Sequence, residues 1–292
     1  MSARIAIVGL VGKTIFMEVP RFHTGGETIH ATGLHEEWGG KGFNQAIAAA
    51  RQDAAVAFLG AASSEDAKEI SEFCRGEGVT AKMCIKHQST ACAAILTDGT
   101  GETRVTVYPG AQLSAKDVDG FAGSIAMADF LLLNNEVPEE VNLAAVEIAV
   151  QYGVKIIFNP APARKLPKKI LEAVSIFTPN EFEEKGLEDG LQGGSGVPPL
   201  RNYEVVTTLG AKGCRIRWTG EVIPAPSAKS VDSTGAGDTF NAVLAIRLAE
   251  GDELKKACVA ANAAAAQSVA VKYVIPSLPY RNLKPGTMKL SS

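Results

Sequence analysis

The stretch VDSTGAGDTFNA, from Val231 to Ala242, joins a glycine-rich turn to the start of a helix. Gly235 and Gly237 permit backbone angles that other residues avoid, so this turn can aim successive N–H groups at one point. Apolar residues with helical spacing follow the turn, and the N-terminus of a helix adds partial positive charge at the same point. The stretch therefore predicts an anion-binding turn that opens a helix.

Asp238 lies beside this predicted anion site. A carboxylate in that place can accept the proton of an attacking hydroxyl, which is the base role in phosphoryl transfer to an alcohol. The same residues also fit a plain helix start, in which Asp232, Ser233 or Thr234 caps the helix and Asp238 complements its dipole. Both interpretations place a helix at residues 236–250.

A second glycine-rich helix start precedes it in the chain. Residues 39–51 read GGKGFNQAIAAAR, so that two glycines and a polar cluster open a helix with an alanine face. Small alanine side chains allow such a helix to pack closely against its neighbours. Two helix starts of this kind in one chain indicate two ligands.

Strand-like and helix-like runs alternate along the chain, which predicts a mostly parallel sheet with helices on both faces. The predicted strands are 4–10, 55–60, 129–133, 154–158, 174–177 and 203–208. The predicted helices are 43–52, 65–76, 139–152, 236–250 and 252–270. Residues 11–33 and 82–108 break this alternation, and the latter contain a predicted hairpin of 91–96 and 102–108. These two stretches predict a separate small sheet.

Composition is that of one globular protein. The 292 residues, 46% of them hydrophobic, can bury a single large α/β core. A net charge of −3 without a basic stripe argues against nucleic acid as a partner, and no apolar run is long enough to predict a membrane span. The five cysteines include no CxxC pair, so neither a disulfide framework nor a zinc site is predicted. Reduced thiols and a first strand in place of a secretory signal predict a cytoplasmic protein.

The two glycine-rich motifs together resemble the ribokinase branch of the PfkB carbohydrate kinase family. Further matches occur in the family's order and span nearly the whole chain. They are Glu136 after an apolar run, NPAPAR at 159–164, TPNEFE at 178–183, TTLGAKG at 207–213 and PSLP at 276–279. The resemblance implies a three-layer α/β/α sandwich with a mostly parallel central sheet and a small β-sheet lid. It divides the chain into a kinase core of 1–10, 34–81 and 109–292 and a lid of 11–33 and 82–108, through which two subunits pair as a homodimer.

The activity implied by the resemblance is transfer of the γ-phosphoryl group of ATP to a primary hydroxyl of a sugar or sugar-like alcohol. Asp238 is then the base, and the N–H groups of Gly235, Ala236 and Gly237 stabilise the transferring group. Magnesium enters with ATP, and Asn180 and Glu183 orient the hydrated ion. A plain capping box, with Asn180 as the cap and Glu183 as its partner, fits the same spacing.

The resemblance also assigns the nucleotide and cation sites. It places the adenine and ribose of ATP against Thr208, Gly210 and Gly213 and near Asn262, although a purely structural hydrogen bond fits Asn262 equally well. Asp232 and Ser277 match ligands of a monovalent cation, usually potassium. Tyr273 departs from the pattern, since relatives usually have glycine there. The chain is also predicted to lack the helix that relatives carry between Glu183 and residue 203, and Gly190–Gly196 predicts a flexible linker.

On the sugar side, five residues match the hydroxyl-binding set of the family: Gly39, Gly40, Lys41, Asn44 and Glu136. After the first strand, however, Gly12 and Thr14 replace the Asn and Asp with which ribokinases hold vicinal hydroxyls. A glycine removes a hydrogen bond and opens space, and threonine cannot accept two hydrogen bonds as a carboxylate does. These departures disfavour D-ribose as the acceptor.

Two other functions remain open at this point. A nucleoside kinase of the same family would use Phe16 and Phe22 to stack on a base, unless both rings belong to the core of the lid. A sugar-binding sensor without turnover is the other, and Asp238 argues against it because a sensor needs no base. Lys13 can face a phosphorylated group, or lie solvated at the surface.

Overall fold

The fold was analysed in a computed structural model, which describes residues 2–192 and 203–281. In chain order its strands are β1 (Arg4–Val8), β2 (Gly12–Glu18), β3 (Gly33–Gly39), β4 (Ala55–Ser63), β5 (Val79–Lys86), β6 (Ala91–Thr97), β7 (Thr103–Tyr108), β8 (Phe130–Asn134), β9 (Lys155–Asn159), β10 (Ile176–Phe177), β11 (Glu204–Thr208), β12 (Cys214–Ile216) and β13 (Val222–Ile223). Its helices are α1 (Lys41–Arg51), α2 (Ala67–Gly76), α3 (Ala115–Asp119), α4 (Ala122–Ala126), α5 (Glu139–Tyr152), α6 (Lys168–Ala173), α7 (Glu181–Gln192), α8 (Ala236–Ala249), α9 (Leu254–Ser268) and α10 (Val274–Ser277).

A nine-stranded sheet forms the centre, in the order β13-β12-β11-β10-β9-β8-β1-β4-β5. Pairing is parallel from β5 to β11, and β12 pairs antiparallel with both β11 and β13. The central strands are continuous apolar runs, since parallel strands covered on both faces bury every side chain. All five residues of β8 are buried, as are four of the five in β1.

Helices cover both faces of this sheet. One apolar core lies beneath α1, α2, α8 and α9, and a second lies beneath α3 to α7. The predicted three-layer α/β/α architecture is therefore confirmed. Every predicted strand and helix also lies within a few residues of an observed one, and α5 matches its predicted bounds of 139–152. None of the helices in the described part of the chain is both long and apolar enough to cross a membrane.

A second, four-stranded sheet has the order β3-β2-β6-β7. The hairpin of β6 and β7 falls where it was predicted, with the turn at Asp98–Gly101 between its strands. The two sheets divide the chain at residues other than those expected. Residues 33–39 belong to the small sheet, because β3 pairs with β2 over its whole length, and residues 79–86 pair with β4 in the large sheet.

The helix that was expected to be missing after Glu183 is present as α7, so that prediction is wrong. Two glycines, Gly186 and Gly190, weaken the helical pattern in the sequence, since each lowers helix propensity by about 1 kcal/mol relative to alanine. Leu187 is buried in the core, and packing of this kind outweighs propensity. The predicted linker of 190–196 lies partly in this helix, and residues 193–196 lie outside the described residues.

Candidate active site

The candidate site lies at the carboxyl ends of the parallel strands, beside β1. The chain adds β4 and β5 on one side of β1 and β8 to β13 on the other. In open α/β sheets this position forms a crevice. Gly9 follows β1, and a Cβ atom added to it would lie 2.6 Å from the Cα atom of Gly42 in α1. The first turn of α1 therefore packs directly against the end of β1. This contact brings the GGKG motif to the same edge of the sheet as Glu136 and Thr208.

Asp238 lies in the first turn of α8, with only 5% of its surface exposed. Asn44 Nδ2 donates to its Oδ2 at 2.9 Å, and Gln45 Nε2 donates to its Oδ1 at 3.2 Å. Burial raises the pKa of Asp238, while the positive charge of Lys41 and the two amide donors lower it. The two motifs singled out in the sequence thus meet at one carboxylate.

Lys41 stands among three carboxylates. Burial lowers the pKa of its ammonium group, but the charges of Asp238, Glu136 and Glu183 outweigh burial and raise it. Its backbone N–H donates to Glu136 Oε2 at 2.7 Å, and Asn134 Oδ1 accepts the N–H of Glu136 at 2.9 Å. The pKa of Glu136 is raised to about 7, mainly by burial and also by the nearby Asp238, against the lowering effect of the charge and backbone N–H of Lys41. The site therefore holds a proton-exchanging carboxylate beside the candidate base.

Glu136→Gln is expected to stabilise the protein above pH 7. Because the pKa of Glu136 in the folded state exceeds its value in the unfolded chain, ionisation destabilises the wild type as the pH rises through 4.5 to about 7. Below this window the group is protonated in both states, so wild type and variant should be equally stable. We expect a gain on the order of 1–3 kcal/mol in urea unfolding at pH 8, at about 1.4 kcal/mol per pKa unit, and none at pH 4.

The matched control is Glu139→Gln, since Glu139 is exposed in the first turn of α5. This variant should show no comparable gain at pH 8. Equal unfolding free energies of the wild type and Glu136→Gln at pH 8 would contradict the expected penalty of burying that charge.

The predicted anion turn precedes α8. Gly235 has a φ of 80°, and a Cβ atom added there would lie 2.6 Å from Cγ1 of Val274. A Cβ atom added to Gly237 would meet nothing within 4 Å, so the turn is open on that side. The N–H of Ala236 already donates to Ser233 O, over a long distance of 3.3 Å. The open side of the turn is the side on which an anion can approach.

The two predicted cation ligands lie at opposite ends of α10: Asp232 contacts Tyr273, which precedes the helix, and Ser277 is its last residue. Asp232 Oδ1 accepts the N–H of Thr234 at 2.9 Å, and its Oδ2 accepts the N–H of Tyr273 at 3.0 Å. Ser277 Oγ donates to Val274 O at 2.7 Å. A carboxylate offers about four acceptor positions and a hydroxyl oxygen two, so both groups keep lone pairs that could face a cation.

A cluster that sequence reasoning missed anchors this segment to the small sheet. Glu37 in β3 accepts the N–H groups of Val274 at 2.9 Å and Ile275 at 3.2 Å, and His35 Nε2 lies 3.2 Å from the same carboxylate. The ring of Tyr273, whose φ is 68°, stacks on His35 with centroids 3.7 Å apart. The contacts at Gly235 and Glu37 connect the small sheet with the anion turn through residues 273–275. No spacing in the sequence links residues 37 and 274.

On the nucleotide side, Asn180 and Glu183 form a capping box at the start of α7. Asn180 Oδ1 accepts the N–H of Glu183 at 2.8 Å, and Glu183 Oε2 accepts the N–H of Asn180 at 2.9 Å. Asn180 also forms an isolated parallel bridge with Thr208. These two side chains therefore form the plain capping box that was the alternative to magnesium binding. The negative charge of Glu183 still raises the pKa of Lys41.

The remaining nucleotide candidates surround the loop after β11. Gly210 and Gly213 both have positive φ, of 58° and 99°, and Leu209 N–H donates to Gly213 O at 2.7 Å to close a tight turn. Asn262 is buried, and its Nδ2 donates to Ile223 O at 2.9 Å. Asn262 therefore makes a structural hydrogen bond, which was one of the two roles that the sequence allowed. The loop itself brings Thr208 and the two glycines together.

Two of the residues predicted to bind substrate, Thr14 and Asn44, lie next to each other beside Gly39. Thr14 Oγ1 would lie 2.5 Å from a Cβ atom on Gly39, so the absence of a side chain at Gly39 allows the hydroxyl to approach. Asn44 Oδ1 is buried and has no hydrogen-bond partner among the described residues. Gly40 has a φ of 108° and supports the turn into α1.

One expectation about the substrate side is wrong, and two alternatives left open by the sequence are decided. Gly12 does not open space, because a Cβ atom there would lie 2.6 Å from the carbonyl oxygen of Ala91 in β6. Lys13 is exposed and pairs with Glu36 at 3.0 Å on the outer face. Phe16 is buried beneath the small sheet and packs edge-on against Tyr273, with centroids 5.2 Å apart.

Phe22 is also engaged within the protein. The guanidinium group of Arg104 lies 4.0 Å from the centroid of its ring. Phe16 thus belongs to the core at the small sheet, as the core alternative supposed, whereas Phe22 is only half-buried and has Arg104 against its ring.

A buried pair behind the turn was also missed. Thr178 Oγ1 donates to Asn241 Oδ1 at 2.5 Å, and Asn241 Nδ2 donates to Gly237 O at 2.8 Å. These side chains are 1% and 2% exposed, so the end of β10 and the anion turn are fixed to each other in the protein interior. A polar residue inside the apolar pattern of α8 was the available signal for Asn241.

Comparison with known proteins identifies the family. The family model described as pfkB family carbohydrate kinase matches residues 3–281. The ribokinase of Haemophilus influenzae is 32% identical over 296 residues, covering 96% of this chain and 97% of the relative. The bifunctional ribokinase/ribose-5-phosphate isomerase A of Fructilactobacillus sanfranciscensis is 33% identical, and the match spans 55% of its length.

Among solved structures, the Arabidopsis thaliana ribokinase complexed with ribose and ATP superposes with a TM-score of 0.83 at 28% identity. The superposition covers 96% of this chain and 97% of that one. A family match over nearly the whole chain, together with the nine-stranded sheet and the small second sheet, leads to one conclusion. The chain belongs to the PfkB family of carbohydrate kinases, which are phosphotransferases that act on an alcohol group.

Proposed function

We propose that the protein transfers the γ-phosphoryl group of ATP to a primary hydroxyl of a sugar or sugar-like alcohol. The observation that carries this proposal is the placement of Asp238. Its carboxylate is buried at the start of α8, beside the Gly235 turn, and both of its oxygens are held by amide donors from α1. Lys41 stands close enough to act on its charge.

In the proposed reaction, Asp238 accepts the proton of the acceptor hydroxyl. At the same time, the oxygen of that hydroxyl attacks the γ-phosphorus of ATP. The new P–O bond forms as the bond to the β-phosphate oxygen breaks, and ADP leaves with those electrons. N–H groups of the turn at Gly235, Ala236 and Gly237 stabilise the charge on the transferring group. Lys41 adds a positive charge beside the same oxygens.

ATP is the proposed donor because the Arabidopsis relative was solved with ribose and ATP. Thr208, Gly210 and Gly213 would receive the adenine and ribose, and Asn262 would support their loop through Ile223. Magnesium would enter bound to the phosphates and supply charge neutralisation there. Glu183 keeps acceptor positions beyond its capping contacts, so its oxygens suit water-mediated contact with that ion.

The monovalent cation would be held by Asp232 and Ser277 beside the anion turn. Tyr273 stands in this segment with positive φ, and its N–H is directed at Asp232. We propose potassium as an activator, because both oxygen groups retain acceptor positions. Assays with and without potassium test this assignment.

The acceptor is proposed to bind against Thr14, Gly39, Gly40, Asn44 and Glu136. Thr14 offers a single hydroxyl where ribokinases offer a carboxylate, and Gly12 is packed against Ala91. We therefore propose an acceptor other than D-ribose. The nucleoside-kinase alternative is less favoured, since Phe16 is buried in the core and Arg104 lies against the ring of Phe22.

Thr14→Asp is expected to raise kcat/KM for D-ribose by about tenfold or more, because a carboxylate can accept hydrogen bonds from two vicinal hydroxyls. Gly12→Asn should not help, since its Cβ would meet the backbone of Ala91; we expect a loss of about 1–3 kcal/mol in stability instead. The matched control for Thr14→Asp is Thr106→Asp, on the exposed strand β7, which should leave the preference for D-ribose unchanged. A Thr14→Asp enzyme with unchanged preference would contradict the assignment of Thr14 to the acceptor wall.

The experiment that tests the function is an ADP-release screen with ATP and magnesium. The panel contains pentoses, hexoses, sugar phosphates, polyols and nucleosides, each with and without potassium. Turnover with one sugar or polyol supports the proposal, and turnover with nucleosides alone contradicts it. Absence of turnover together with tight sugar binding would point to the sensor.

We further propose a cytoplasmic homodimer that pairs through the small sheet. All six residues of the edge strand β7 are exposed, and Val105 and Val107 are each more than half exposed. An edge strand with open backbone groups and apolar side chains favours pairing with a second chain. Sedimentation analysis of the wild type and of Val107→Lys tests this assembly.

A further inference from the structure

We infer that Gln45 is a positioning residue, which fixes the orientation of the Asp238 carboxylate for proton transfer. The inference rests on the proposed base role of Asp238. Gln45 was not among the residues expected to form the site. Its part in the reaction would be indirect, acting through the carboxylate that it contacts.

Each oxygen of the Asp238 carboxylate accepts a hydrogen bond from a different side chain. Consecutive residues of α1 donate to different oxygens of Asp238, Asn44 at 2.9 Å to Oδ2 and Gln45 at 3.2 Å to Oδ1. The torsion that rotates a carboxylate about its Cβ–Cγ bond has a broad energy profile, so contacts outside the residue must fix it. Removing one of the two donors would free this rotation.

The two amides differ in what else they can reach. Asn44 Oδ1 has no partner among the described residues, so Asn44 can hold Asp238 and still accept a hydrogen bond from the acceptor. Gln45 is 1% exposed and lies in the interior between α1 and α8. It can therefore influence the acceptor only through Asp238.

Lys41 from α1 is the charged group that acts on Asp238, and Asp238 in turn acts on Glu136 in the segment after β8. Burial disfavours the ionised carboxylate, whereas Lys41 and the two amide donors favour it. A hydrogen bond to the ionised form lowers the pKa of an acid. Loss of the Gln45 donor should then raise the pKa of Asp238 and move the acid limb of the kcat–pH profile to higher pH.

The test is Gln45→Met, which keeps the length of the side chain and removes the donor. We expect kcat to fall by roughly 10–100-fold, as for a misaligned catalytic group, with the KM for the acceptor nearly unchanged. The acid limb should shift to higher pH. Gln52→Met is the matched control, because Gln52 ends the same helix and donates to Pro279 O away from the site.

A folded Gln45→Met enzyme with wild-type kcat and an unmoved acid limb would overturn the inference. If Gln45→Met does not fold, Gln45→Asn serves instead, since it retains a polar amide that is one methylene too short to reach Asp238. The parent proposal fails separately: an active Asp238→Asn enzyme would remove the base role, and with it this inference. An inactive Asp238→Asn enzyme with an unaffected Gln45→Met enzyme would overturn the inference alone.

Discussion

Asp238→Asn is expected to lower kcat by roughly 10²–10⁴-fold while ATP and the acceptor still bind, because an amide cannot accept the proton of the hydroxyl. The variant should fold. Asparagine directs an NH₂ group at one of the two amide donors, which is unfavourable, but it also removes a buried charge. These two changes oppose each other in the free energy of unfolding.

The measurement is single-turnover phosphoryl transfer, together with calorimetric titration of ATP and of the acceptor found in the screen. Asp119→Asn, on an exposed residue at the end of α3, is the control and should match the wild type. Retained turnover in Asp238→Asn would contradict the base role. Loss of turnover with intact binding would separate the kinase from a sensor, since a sensor does not use the base.

Gly235→Ala is expected to give the second largest effect. The residue has a φ of 80°, and the new Cβ would lie 2.6 Å from Val274 Cγ1. The turn must therefore shift away from α10, and this moves the N–H groups that are proposed to hold the transferring phosphoryl. Loss of one such donor lowers kcat by roughly 10²–10³-fold in other enzymes.

The matched control for this effect is Gly251→Ala. Gly251 lies just beyond the far end of α8 and has a φ of 93°, but a Cβ atom added there meets nothing within 4 Å. Both variants should lose about 1–3 kcal/mol of stability from the strained backbone, and only Gly235→Ala should lose turnover. Equal kcat values for the two variants would contradict the role of the turn.

The elements that could be predicted are those with a strong local pattern. The central strands β1, β4 and β8 are apolar runs, and α1, α5 and α8 combine a clear start with helical spacing. The strands β2 and β3 were not predicted, because they alternate polar and apolar residues only weakly and are stabilised by pairing with each other. The helix α7 was missed for a related reason, since packing of Leu187 compensates for its glycines.

Within the candidate site, residue types and spacing predicted which residues can do chemistry, but not all of their contacts. Asn180 and Glu183 form a capping box, and Asn262 donates to a backbone carbonyl. Gly12, expected to open space, lies against Ala91. These contacts depend on neighbours that are distant in sequence, which no local pattern contains.

The sequence by itself determined the two glycine-rich helix starts, the alternating order of strands and helices, and the membership of the family. Each of these depends on residue types that are close together along the chain. Only the tertiary structure decided that Asn44 and Gln45 hold Asp238, and that Glu37 anchors the segment behind Gly235. These partners are 193 or more residues apart. Their meeting depends on the packing of α1 and the small sheet against α8 and α10, and such packing follows from the whole sheet order rather than from any local stretch of chain.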